Sequence, residues 1–170
     1  ITETQMEHVG SWAKAARDAC TKFGIFWEPD QTEKELFWEM DGVKCKAKLD
    51  AFSRTRETII DFKTTTVVDP QAFKWDLFDY AGQLAWYKMG MEKLSVVDGV
   101  SWGGEIVAVQ KSYPNKVFVY RFSPETLENV QRDVVLPLFK RFRLEGEDTA
   151  FLRRVLLDRD GLLIGDGDLV

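Results

Sequence analysis

The stretch EKELFWEMDGVKCKAKLDAF, residues 33–52, followed at residues 58–66 by TIIDFKTTT, decides how this chain is read. Asp41-Gly42 is a two-residue hairpin signal, because both positions of the tight turn need positive φ. It predicts a strand over 33–40 and a returning strand over 43–52. Met40 then stands opposite Val43, Glu39 opposite Lys44, Glu35 opposite Lys48 and Glu33 opposite Asp50. Side chains alternate along a strand, so Cys45, Ala47, Leu49 and Ala51 form a natural core face. Lys44, Lys46, Lys48 and Asp50 then form an accessible charged row. Residues 58–66, short and rich in β-branched types, predict a third strand on which Asp61 and Lys63 share one face and Ile60, Phe62 and Thr64 the other.

Outward from this hairpin, Met6, Val9, Trp12, Ala13, Ala16 and Cys20 recur at helical spacing and predict a helix over 4–22, stopped by Gly24. Asp69-Pro70 is a helix start, with Asp as cap and Pro in the first turn. That helix runs, with a break near 76–79, to Gly90. Strands are predicted over 104–110 and 116–122. A long helix from Ser123 to Phe142 should kink at Pro137, and a shorter helix is predicted over 147–157. The order is helix, three strands, helix, two strands, helix. It predicts one α/β (α+β) domain over residues 1–170, with a mixed, mostly antiparallel sheet of about five strands flanked by helices.

Bulk properties narrow the function. The chain has 170 residues, 45 % hydrophobic and 30 % charged, the balance of a globular protein long enough to bury a core. No apolar run approaches the roughly 18–20 residues of a membrane span, and the first residues lack a signal-peptide pattern. Two cysteines without C-x-x-C spacing argue against a zinc ribbon or a disulfide framework, and suit a reducing, cytoplasmic compartment. With one histidine, any divalent metal must be held mainly by oxygen, which points to magnesium, manganese or calcium. A net charge of −5 excludes a protein basic all over but not a local cationic stripe for phosphate. A chain that begins at Ile1 reads as a fragment or a processed form.

Glu33 opposite Asp50 sets two carboxylates side by side, which repel unless something positive lies between them; a divalent cation is the usual remedy, and Asp61 on the next strand is a further oxygen ligand. Asp50 and Asp61, with the backbone carbonyl of Phe62 as a further oxygen, are candidate metal ligands. Lys63, two residues from a ligand, can orient an attacking water or stabilise charge on a phosphate. Standing alone, a D-x-K on a strand is ordinarily a solvated salt-bridge face. The second aspartate, ending the neighbouring strand, lifts it somewhat above that.

The motifs Leu49-Asp50, Ile59 to Thr65 (IIDFKTT) and Gly82 to Tyr87 (GQLAWY) together resemble the P-D-(D/E)-x-K nuclease superfamily, in its RecB-like branch with the Q-x-x-x-Y motif. The wording and order of FWEMDGVKCKAKLDAF, IIDFKTT and FDYAGQLAWYKMG are most similar to the exonuclease VIII (RecE)-like exonucleases of phages and prophages. The resemblance covers residues 30–140. It implies a restriction-endonuclease-like core, Asp50 and Asp61 as metal ligands, Lys63 as the catalytic lysine, and Gln83 and Tyr87 positioning the active site and the DNA strand. Glu33 stands where that group carries an acidic residue. The implied activity is magnesium-dependent exonuclease action on double-stranded DNA ends, with manganese able to substitute. A ring-shaped homo-oligomer and a single-strand annealing protein as partner are implied too. A metal-binding histidine is expected on a helix well upstream of the first aspartate. His8 lies too close to Asp50, so the histidine is expected in a missing N-terminal segment or not at all.

Lys44, Lys46 and Lys48 are candidates for phosphate contact; for Lys44 a solvated strand face paired with Glu35 and Glu39 is the alternative, and Lys46 and Lys48, nearest Asp50, are the stronger candidates. Trp38, Phe62, Trp75, Trp86 and Trp102 read as core. Arg141, Arg143, Arg153 and Arg154 form a basic cluster that suits DNA or an ordinary helix face equally. Two rival functions stay open: a single-strand or structure-specific nuclease of the same superfamily, and a non-catalytic DNA-binding module that keeps the fold.

Overall fold

The computed structural model describes residues 2–73, 76–94 and 100–145. Helix α1 (Glu3–Phe23) begins with a capping box between Thr2 and Gln5 and ends at Gly24, whose left-handed backbone returns its N–H to Cys20 and Thr21. Strands β1 (Thr32–Met40) and β2 (Val43–Ser53) form the hairpin. Asp41 and Gly42 both take positive φ (50° and 81°), as the tight turn requires. Met40 pairs with Val43, Glu39 with Lys44 and Glu35 with Lys48, the expected register.

β3 (Thr58–Thr65) pairs antiparallel with β2 and parallel with β4 (Gly103–Gln110), to which β5 (Val117–Phe122) is antiparallel. The strand order is β1-β2-β3-β4-β5. This is the mixed, mostly antiparallel five-stranded α+β architecture that the pattern predicted. The parallel pair needs a crossover, supplied by α2 (Pro70–Phe73) and α3 (Leu77–Leu94). Asp69 Oδ1 accepts the Gln71 N–H at 2.9 Å, capping the first turn.

The expected final helix is three pieces: α4 (Pro124–Val130), a π-helical turn over Gln131–Val135, and α5 (Leu136–Glu145). Pro137 has no N–H and its ring crowds the carbonyl four residues back. The chain absorbs this by widening the turn before it, so the Leu136 N–H reaches Gln131. The helix predicted over 147–157, Trp75, Arg153 and Arg154 lie outside the described residues.

The larger core lies between one sheet face and α3, α4 and α5, with Leu36, Leu49, Ile59, Leu84, Ile106 and Leu127 at its centre. Trp38, Trp86 and Trp102 are buried in it, as expected. The approach of α3 is close enough that a Cβ on Gly90 would stand 2.9 Å from Trp38 Cζ3. The buried Lys88 pairs with Glu92 on α3 and lies 3.6 Å from Glu128 on α4. A smaller core joins Cys20 and Ile25 to Ala51, Ile60 and Val107 on the other face, where α1 packs against β4 and β5. No helix among the described residues is long and apolar enough to cross a membrane.

Candidate active site

β2 and β3 are paired at Ala51–Ile60, Phe52–Ile59 and Ser53–Thr58, and the ladder stops there. The next position would set Asp50 against Asp61. Instead the Asp50 carboxylate accepts the Phe62 N–H at 2.8 Å, a side chain taking the place of a ladder bond.

Alternation along β2 also reverses at this point. Cys45, Ala47 and Leu49 lie in the larger core, but Ala51 lies in the smaller one and Phe52 returns to the larger. The expectation of one unbroken core face from Cys45 to Ala51 is corrected accordingly. So is the placing of Asp50 at the end of an accessible lysine row. Lys44, Lys46 and Lys48 are exposed, whereas Asp50 is half-buried and turned to β3.

Asp61 and Lys63 share a face, as strand parity predicted, but it is the face of Ile59, covered by α3. Their exposures are 1 % and 4 %. The central strand is covered on both sides, so polarity could not show which face opens.

Lys63 Nζ hydrogen-bonds Asp61 Oδ1 at 3.3 Å. It lies 3.1 Å from Oδ2 as well, but off the hydrogen-bonding direction, so Oδ2 is buried with charge attraction and no hydrogen bond. Burial pushes the Asp61 carboxyl up to about 6; Lys63 opposes this and the Asp50 charge adds to it. Burial also raises Asp50, against the Phe62 N–H and Lys63 and with the help of Glu33. Two neighbouring carboxyls thus resist ionising together, the condition a divalent cation relieves.

Other expected residues are distributed around this centre. Glu33 is bracketed against Asp50 by the pairs Lys34–Leu49 and Thr32–Ala51, but has φ 50° and closes its exposed carboxylate on Lys48. The charge between Glu33 and its neighbours is therefore balanced by a lysine. Lys46 faces Phe37 across the hairpin, with no acid directly opposite. Gln83 and Tyr87 are buried on α3, and Gln83 Nε2 donates to the Tyr87 hydroxyl at 2.8 Å while Gln83 Oε1 is buried without a hydrogen bond. His8 stacks on Trp12 along α1, the helix that packs on the opposite sheet face. Phe62 sits on that face too, edge-on to Trp27. Arg143 pairs with Asp41 at the hairpin turn.

Sequence reasoning missed Tyr80. It precedes Gln83 by about one helical turn, so the spacing that joins Gln83 to Tyr87 could have extended to it. Its ring lies 5.3 Å from Lys63 Nζ. Burial, then the charges of Asp76, Asp61 and Asp79, push its hydroxyl up to about 12, so it stays neutral.

The residues fit a hard divalent cation. Asp61 Oδ2 is an orphaned buried oxygen, the Asp50 carboxylate is its neighbour in charge, and Lys63 limits the net charge. Among the described residues no group of three His, Cys, Asp or Glu side chains is placed to hold a metal. The set is a two-carboxylate one, which a hard divalent cation accepts when water completes its shell.

A mixed sheet with a carboxylate at the parting of two strands, and a carboxylate and lysine two residues apart on the next, defines a class of α+β domain built around a buried acidic site. The chain belongs to the family described as "PDDEXK-like domain of unknown function (DUF3799)", whose model matches residues 15–138. In structure it is similar to a candidate exonuclease from Eubacterium rectale, at 19 % identity and TM-score 0.48 over 65 % of this chain and 44 % of that one. It is also similar to the protein SSO0001, at 19 % identity and TM-score 0.39 over 62 % and 49 %. The chain spans less than half the length of either. No curated protein matches it in sequence.

Proposed function

We propose that this chain is a metal-dependent deoxyribonuclease that hydrolyses DNA phosphodiester bonds. One observation carries the reading: Asp50, turned to β3, and the buried Asp61–Lys63 pair, with Asp61 Oδ2 free of any hydrogen bond among the described residues, stand at the point where β2 and β3 part. The PDDEXK-like family supports it.

Asp50 and Asp61, with the Phe62 carbonyl, would hold magnesium, or manganese in its place; the ion supplies a polarised phosphate and a water of lowered pKa. Lys63 is held by Asp61 with its ammonium directed into the site, where it can orient water or meet charge growing on the phosphate oxygens. Gln83 and Tyr87 brace each other, and the Gln83 carbonyl oxygen is left to accept a bond from the site or the strand. Glu33 tunes Asp50 by its charge. Lys46 and Lys48 are the phosphate contacts nearest the centre.

On this reading residues 1–170 are one nuclease domain acting on double-stranded DNA ends in phage or prophage recombination, in the bacterial cytoplasm. The ring-shaped oligomer and the single-strand annealing partner rest on the resemblance alone.

The test is digestion of linear, tailed, single-stranded and closed circular DNA with magnesium, manganese or EDTA. Linear duplex should be degraded with either ion. Asp61→Ala and Lys63→Ala should abolish cleavage with an unchanged circular dichroism spectrum, and manganese-soaked crystals should show density between Asp50 and Asp61. Cutting of closed circles would replace the exonuclease by a structure-specific nuclease. No cleavage with either ion would leave a DNA-binding module.

A further inference from the structure

Lys63 is 4 % exposed, and among the described residues its hydrogen bonding is to Asp61 alone. An ammonium has three N–H donors, and one carboxylate is a thin partner set for a charge so far from water. Besides the charge of Asp50, a further partner is the Tyr80 ring, whose centre lies 5.3 Å from Nζ, inside the range at which an aromatic face attracts a cation.

Tyr80 is itself held. Its ring stacks on Phe73 at 5.6 Å and 27°, and Phe73, fully buried, stacks in turn on Tyr120 at 5.3 Å and 18°. The Tyr120 hydroxyl donates to the Pro70 carbonyl at 3.0 Å, tying this group to the start of the β3–α3 crossover. The aromatic wall is thus assembled from the crossover, α3 and β5. Its Tyr80 ring reaches the lysine, while among the described residues the Tyr80 hydroxyl makes no hydrogen bond.

We infer that Tyr80 is a positioning residue for DNA cleavage: its ring face, and not its hydroxyl, holds the Lys63 ammonium in the active site. The inference rests on the nuclease reading for its kinetic consequence and on the Lys63–Tyr80 contact alone for its physical one. Tyr80→Phe keeps the ring. Tyr80→Met fills the space with an unbranched, adaptable chain but has no aromatic face.

In magnesium-supported cleavage of linear duplex, Tyr80→Phe should restore kcat to within about twofold of the parent, whereas Tyr80→Met should lower it about tenfold with KM little changed. Equal kcat in the two variants, or a loss confined to KM, overturns the inference. The contact is tested separately by urea unfolding in EDTA of the parent, Tyr80→Met, Lys63→Met and the double variant. The folding constants should depart from additivity by about fivefold, and strict additivity refutes the contact. Should the parent cut no DNA, the nuclease reading fails and this cycle still decides the contact. Should Lys63→Met fail to fold, the kinetic pair decides.

Discussion

The Asp61 carboxyl is held at about 6 instead of its ordinary 3.8, so the folded chain keeps this proton more tightly than the unfolded one. Ionisation therefore acts against folding. For this group stability is greatest below pH 3.8, falls as pH rises from 3.8 to about 6, and is level above that. The whole fall is about 3 kcal/mol, large against the roughly 5–15 kcal/mol of a typical domain. About half has occurred by pH 5, which leaves about 1.5 kcal/mol between pH 5 and 8.

The perturbation that isolates it is Asp61→Asn, which keeps the shape and removes the titration. That variant also deprives Lys63 of its carboxylate and lowers absolute stability, so the measurement is the slope with pH. Urea unfolding of both proteins in EDTA at pH 5, 6, 7 and 8 should show parent stability falling relative to the variant by about 1.5 kcal/mol. Saturating magnesium or manganese, which favours the ionised pair, should remove that fall in the parent and leave the variant unchanged. Parallel slopes in EDTA would refute the claim that the fold strains this carboxyl. A fall in the parent that persists with either cation would refute Asp50 and Asp61 as the metal pair.

Three further outcomes follow from geometry elsewhere. Glu105 is 2 % exposed and accepts hydrogen bonds from Arg56 at 2.7 and 2.9 Å and from Arg121 at 2.8 Å. Glu105→Gln should cost about 2 kcal/mol in urea unfolding, less than a fully buried pair because both arginines reach solvent. Burial alone would raise this carboxyl, but the two arginines outweigh burial and hold it low, so its stabilisation is present above the ordinary carboxylate range and fades as pH falls through its lowered pKa. Gly42 has φ 81°, and Gly42→Ala should lower stability by about 1 kcal/mol by straining the hairpin turn, read from the urea midpoint. Under the DNA-binding reading, Lys46→Ala should reduce the slope of log affinity against log salt by about one, and Lys48→Ala by less because Glu33 already neutralises it. Equal slopes for these two variants would remove the distinction.

What sequence made legible was whatever local chemistry settles. Asp41-Gly42 sets the hairpin register because few pairs tolerate two positive φ angles, and the cap at Asp69 follows from a side chain bonding its own backbone. Parity alone placed Asp61 and Lys63 together. It could not say which face they share, because β3 carries apolar residues on both sides: Ile59 enters one core and Ile60 the other. The reversal at Asp50 was equally invisible. It arises where Ala51 is drawn into the smaller core under α1 while Phe52 returns to the larger, and no alternating pattern encodes a change of partner.

That reversal shapes the site. Had β2 kept its parity, the Asp50 carboxylate would stand with Lys46 and Lys48 on the open face, where water would solvate it and leave Asp61 buried alone with Lys63. Because the chain turns over there, the ladder to β3 ends at Ala51–Ile60, the Phe62 N–H is left to Asp50, and the Asp50 charge comes close enough to add to the rise that burial imposes on Asp61. The lysine two residues on then limits a charge that the fold has concentrated, and the Tyr80 ring limits the desolvation of the lysine. Each polar group is tolerated because of the next, so the site must respond as a unit. Mutations at Asp50, Asp61 and Lys63 should therefore be non-additive in metal-free stability, whereas Glu105, which lies outside this chain of contacts, should add independently.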